Sequence, residues 1–110
     1  IEDNYDARTI AVEALRVAGF ETEGIWSGDE AVKRLADVTP DIIILDLHLP
    51  GIAGKDVLKH IRSEPRLAKT RVIIATADPL TAETLQNDAD LVLIKPISFS
   101  QLRNLSARLK

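Results

Sequence analysis

Five side chains of this 110-residue chain could share one piece of chemistry: Glu2, Asp3, Asp46, Thr76 and Lys95. Three of them close short apolar runs. "IIIL" runs straight into Asp46, "VIIA" into Thr76 and "LVLI" into Lys95. Glu2 and Asp3 stand just before the first helical pattern, where a preceding strand would end. Brought together, three carboxylates would face one ammonium. Like charges a few ångströms apart in a partly desolvated cleft are costly unless something neutralises them. A hard divalent cation does so, and Mg²⁺ favours one or two carboxylates with waters and phosphoryl oxygens. With such a cation in place, Asp46 could act as a nucleophile toward phosphorus. Lys95 could pair with one phosphoryl oxygen and Thr76 could donate a hydrogen bond to another. Singly, each residue has a plain reading: a turn cap, an acidic chain end, a β-propensity threonine, a solvated lysine. Their shared position at the ends of apolar runs favours the chemical reading.

The elements that would carry them follow from periodicity. The three runs are short and rich in β-branched residues, as in strands buried on both faces. Ile10, Ala14 and Val17, with Ala11, Leu15 and Ala18, make a helical apolar stripe that Gly19 is suited to stop. "SGDEAVKRLADV" opens with a capping box, Ser27 and Glu30, and "SFSQLRNLSARL" with another, Ser98 and Gln101. "GKDVLKHIRS" puts Val57, Leu58 and Ile61 on one face. A short polar helix is expected around Thr81 to Asn87, and "FETEGIWS" reads as a weaker strand. Strands alternating with helices imply an α/β fold with a parallel sheet covered on both faces. In such sheets ligands bind at the carboxyl ends of the strands.

Composition bounds the rest. Hydrophobic residues make up 45%, enough for a packed core. The formal charge of −3 argues against direct nucleic-acid binding, which is driven largely by Lys and Arg on phosphates. There is no cysteine, which fits a reducing, cytoplasmic setting. Nothing reads as a signal peptide, and no apolar run approaches the roughly 20 residues that span a bilayer. One domain over residues 1–110 is expected. "GIAGK" has the wrong spacing for a phosphate loop, and Asp56 stands where Ser or Thr is needed. Trp26 reads as partly buried packing. Lys33, Arg34 and the positives from Arg62 to Arg71 read as solvated. The sequon at Asn104 lies in a helical pattern and reads as inert.

In this order and spacing, "IEDN", "DIIILDLHLPGIAG", "VIIATA" and "LIKP" resemble the response regulator receiver domain of two-component signalling. The resemblance implies a flavodoxin-like doubly wound sheet with strand order 2-1-3-4-5. It implies Asp46 as phosphoacceptor, served by a histidine kinase or a histidine phosphotransfer protein. Mg²⁺ would be held by Asp3 and Asp46 directly, by Glu2 through water and by the backbone carbonyl of His48. Thr76 is the implied switch hydroxyl and Lys95 the phosphate-pairing cation, with a cis bond before Pro96. The domain would catalyse only its own modification, signal to an output partner or domain, and stay off the membrane. A homodimer is left open. Three departures accompany the resemblance. Only Ile1 remains of the first, central strand. Val92 replaces the aromatic switch residue, and the stretch from Thr76 to Lys95 is about three residues short, nearly a turn of helix. These departures suggest that reordering of Asp78 to Asp90, rather than a side-chain rotamer, carries the signal. Two rival readings are a degenerate receiver that only binds partners, and a small flavodoxin-like enzyme. The latter would lack a glycine-rich phosphate loop.

Overall fold

A computed structural model describes residues 1–110. Three parallel strands, β1 (Ile42–Asp46), β2 (Arg71–Thr76) and β3 (Leu91–Ile94), form the sheet in that order. Ile42 pairs with Arg71 through to Asp46 with Ala75, and Ile73 pairs with Leu91 through to Thr76 with Ile94. The register brings the carboxyl ends of all three strands to one edge. Five α-helices surround them: α1 (Tyr5–Val17), α2 (Gly28–Leu35), α3 (Gly54–Ser63), α4 (Pro79–Leu85) and α5 (Phe99–Arg108). A 3₁₀ turn, Pro65–Leu67, leads from α3 toward β2.

The strand side chains alternate between two cores, as a doubly covered sheet requires. Ile43, Leu45, Val72 and Ile74 join Leu35 of α2 and Val57, Leu58 and Ile61 of α3 in the larger core. On the other face Ile44 and Leu93 pack against Ala14 and Leu15 of α1 and Leu102 of α5. Leu45, Ile61 and Ile74 are fully buried, and truncating any one to alanine should cost about 2–5 kcal/mol. The helix signals hold locally. Gly19 ends α1 with φ +101°, and Ser27 and Ser98 accept from the amides of Glu30 and Gln101. The short helix is present, starting two residues before the expected Thr81.

"FETEGIWS" is not a strand. Residues 20–25 meet the sheet region through one backbone bond, from the Glu2 amide to the Ile25 carbonyl at 2.8 Å. A strand needs a partner along its length, and this stretch meets one only at Glu2. Ile1 does take a strand's place beside β1: its nitrogen donates to Ile44 O and its carbonyl accepts from the Asp46 amide. That pattern sets Ile1 opposite Leu45 as in a parallel ladder. Beyond Ile1, a cavity of about 1440 Å³ follows the free edge of β1, lined by Val12, Leu15, Ile25, Ile42 and Ile44. Trp26 is 57% exposed rather than packed, because the irregular stretch gives its ring no wall.

Candidate functional site

The five singled-out residues arrive at one edge by four routes. Asp46 is the last residue of β1 and is 4% exposed, so the apolar strand holds its carboxylate in a nearly dry position. The loop that follows is made by two glycines. Gly51 adopts φ +73°, which L side chains rarely reach. A Cβ on Gly54 would lie 2.6 Å from Asp46 O, so only glycine lets α3 start this close to the strand end. Thr76 ends β2 and is fully buried. Lys95 follows β3, its amide donates to Thr76 O at 2.8 Å, and the bond to Pro96 is cis. Glu2 and Asp3 sit between the Ile1 bridge and α1, whose N-cap Asn4 accepts from the Ala7 amide.

There the side chains converge. Each of Glu2, Asp3 and Asp46 offers a carboxylate oxygen, and the three oxygens lie within 4.8 Å of one another. Lys95 Nζ reaches in from β3, 2.7 Å from Glu2 Oε1 and 3.1 Å from Asp46 Oδ2. Burial by itself would lower the Lys95 pKa. The hydrogen bonds and charges of Glu2 and Asp46 outweigh it and raise the pKa above the usual lysine value. The other Asp46 oxygen, Oδ1, accepts from the His48 amide at 3.1 Å. Glu2 Oε2 accepts from the Asn4 amide at 3.3 Å. Asp3, by contrast, is exposed, and its carboxylate takes part in no hydrogen bond or ion pair.

Thr76 is tied to the next element rather than to Asp46. Its Oγ1 accepts from the Asp78 amide at 3.1 Å, which leaves the hydroxyl hydrogen free to donate. Asp78 in turn caps α4, accepting from the Leu80 amide and from Thr81 Oγ1. The Thr81 hydroxyl, then the Leu80 amide, hold its carboxyl below the ordinary aspartate pKa.

Hard oxygen donors in this number, with two negative charges more than Lys95 neutralises, suit Mg²⁺ or a similar cation. Sequence reasoning missed two arginines that order the surroundings. Arg8 Nη1 donates to the carbonyls of Glu2 and Asp3 at 3.0 and 3.3 Å. Arg62 donates to Asp88 O and Asp90 Oδ2, and Asp90 also accepts from the Val72 amide. Arg66 likewise is no free cation: it donates to Leu35 O, Val38 O and Thr39. Arg62 and Arg66 read as solvated because most of their acceptors are backbone carbonyls, which residue identities do not reveal. No helix is long and apolar enough to cross a membrane.

Residues 1–107 match the family described as response regulator receiver domain. The chain is 33% identical over 105 residues to the phosphate regulon transcriptional regulatory protein PhoB of Rhizobium meliloti, covering 93% of this chain and 46% of PhoB. It spans about half the length, or less, of the curated relatives it matches. Among solved structures, the signal receiver domain of a Syntrophus aciditrophicus signal transduction histidine kinase superposes with a TM-score of 0.86 at 29% identity, over 99% of this chain and 85% of that one. The receiver domain of a Pseudomonas aeruginosa sensor histidine kinase, solved with a magnesium ion coordinated in its active site cleft, gives 0.86 at 26% identity, over 99% and 92%. The flavodoxin-like α/β architecture, the ordered motifs and the match along nearly the whole chain agree, and the chain belongs to the response regulator receiver domain family of two-component signalling.

Proposed function

We propose that this receiver is a phosphorylation-dependent switch in which Asp46 accepts a phosphoryl group from a phosphohistidine of a histidine kinase or phosphotransfer protein. The observation that carries the reading is the state of the Asp46 carboxylate. It is nearly buried, it points into the acidic cluster, and Lys95 and the His48 amide hold its two oxygens apart. A carboxylate so fixed loses little orientational freedom on attack. In the step, the P–N bond to the donor imidazole breaks as an Asp46 oxygen bonds phosphorus, leaving an acyl phosphate.

Glu2, Asp3, Asp46 and the His48 carbonyl would hold Mg²⁺, a reading supported by the magnesium ion coordinated in the active site cleft of the Pseudomonas aeruginosa receiver domain. When bound, Mg²⁺ supplies positive charge to the transferring oxygens. Lys95 neutralises part of the cluster beforehand and stays within reach of a phosphoryl oxygen on Asp46. Thr76 keeps a hydroxyl hydrogen for another oxygen. These residues modify the domain itself and turn over no outside substrate.

Incubation with a small-molecule phosphodonor and Mg²⁺ should add one phosphoryl group to the chain, seen by intact mass. Asp46→Asn should take up none. Equal labelling of that variant would remove Asp46 from the role.

A further inference from the structure

Of the three clustered carboxylates, two are held at their side chains and one is not. Lys95 and backbone amides fix Glu2 and Asp46. The Asp3 carboxylate has no partner, so its aim depends on the backbone of Glu2 and Asp3. Neither carbonyl of that pair accepts a backbone amide. One group meets both: Arg8 Nη1, from the first turn of α1.

Arg8 is itself constrained. Its side chain is half-buried, and its guanidinium lies 5.6 Å from the centre of the Tyr5 ring. Its stem runs against Gly24, where an added Cβ would come within 3.1 Å of Arg8 Cγ. Nη1 carries two hydrogens, one for each carbonyl, and their directions are fixed by the plane of the seated guanidinium, which a rotating lysine ammonium lacks.

The geometry points to Arg8 as a positioning residue that aims the Asp3 carboxylate into the cation site. This rests on the metal-binding reading above, and its sign separates it from electrostatics. Arg8 places a positive charge beside a cation site, so by charge alone its removal should tighten Mg²⁺ binding. As a positioning residue, its removal should weaken binding instead. Groups that orient metal ligands typically change affinity by about tenfold or more when lost.

The test uses Arg8→Met, which keeps the stem and removes charge and donors, and Arg8→Lys, which keeps charge and one donor group. Mg²⁺ affinity is measured by titration of the native chain and both variants. Backbone order at Glu2 and Asp3 is measured by ¹⁵N relaxation without metal. We expect about tenfold weaker binding in Arg8→Met, partial rescue in Arg8→Lys, and lower order at Asp3 in Arg8→Met. Binding in Arg8→Met as tight as native, or tighter, overturns the assignment. Should Arg8→Met fail to fold, native affinity and native Asp3 order in Arg8→Lys overturn it. If the native chain binds no Mg²⁺, the metal reading itself fails. Relaxation then decides for Arg8 alone: unchanged order at Asp3 rejects it.

Discussion

The Lys95 ammonium stands 3.1 Å from Asp46 Oδ2, and the two residues come from opposite edges of the three-stranded sheet. Lys95 thus acts as an internal counter-ion that crosses over β2. Without it, no side-chain cation would pair directly with the Glu2 and Asp46 carboxylates. Lys95→Met should therefore destabilise the metal-free chain. Loss of one partner from a fully buried pair costs several kcal/mol, but this ammonium is partly solvated, which discounts the figure to about 1–2 kcal/mol. Mg²⁺ should shrink the deficit, because it replaces the missing charge. Denaturant unfolding of both proteins, in chelator and in Mg²⁺, checks this, and an unchanged deficit in Mg²⁺ would count against a shared site.

The same pair predicts a pH dependence. Because the folded Lys95 pKa lies above the ordinary 10.5, the stabilisation is fully present below that value. It fades as pH rises through the folded pKa. The stability gap between native chain and Lys95→Met should be flat from pH 8 to about 10 and close above it. A gap that narrows already near neutrality would mean that another group titrates.

Asp90 gives the opposite sign. Burial by itself would raise its pKa. The Val72 amide first, then the Arg62 hydrogen bond and charge, outweigh burial and hold it below the ordinary 3.8. The stabilisation is present above 3.8 and lost as pH falls through the lower folded value. Asp90→Asn keeps an acceptor for Val72 and removes the charge. Asp90 is largely solvated, so the cost at pH 7 should be about 0.5–1 kcal/mol. Urea unfolding at pH 7 and pH 3 should show that difference shrinking in acid.

What could be read beforehand, and what could not, divides along one physical line. β1, β2 and β3 were legible because each holds a run of four apolar residues, a property of composition alone, although β3 is only half-buried. Asp46, Thr76 and Lys95 were legible because each breaks such a run at its end. Residues 20–25 carry strand-like residues without forming a strand, because a strand is a relation between two ladders of hydrogen bonds, and this stretch makes one bond there, to Glu2. The same holds for Arg8, Arg62 and Arg66. Each bonds backbone carbonyls, which every residue type carries alike, so nothing in the identity of the acceptor residue announces the bond.

Thr76→Ala should separate modification from response. The hydroxyl is buried and serves as acceptor for the Asp78 amide, so its loss should cost about 1–3 kcal/mol. Asp46 and the acidic cluster do not depend on it. Phosphoryl uptake should persist in the variant, while changes elsewhere in the domain on phosphorylation should shrink. Abolished uptake in a folded Thr76→Ala would place the hydroxyl in the transfer step itself.

The path of that response follows from the bonds around α4. A phosphoryl group on Asp46 offers the Thr76 hydroxyl a charged acceptor, stronger than any neutral partner. If the side chain turns toward it, the Asp78 amide loses its acceptor. Asp78 is the N-cap of α4, so the change reaches the start of that helix directly. The helix is poorly equipped to resist. It has seven residues, only Ala82 and Leu85 are buried, and Leu80 is 73% exposed. Its far end is different, because Arg62 holds Asp88 and Asp90 against α3 and β2. Val92 cannot relay the signal by swinging between two positions: it is β-branched, stiff at χ1, and packs against the larger core. On this route the bistable element would be the first half of α4, with Arg62 as its fixed hinge point. Hydrogen exchange on free and phosphorylated chains should show protection changing most over residues 78–82 and least over 88–90. In Arg62→Met the change should spread through residue 90. Uniform protection across 78–90 in both states would rule this route out and move the output to another face of the domain.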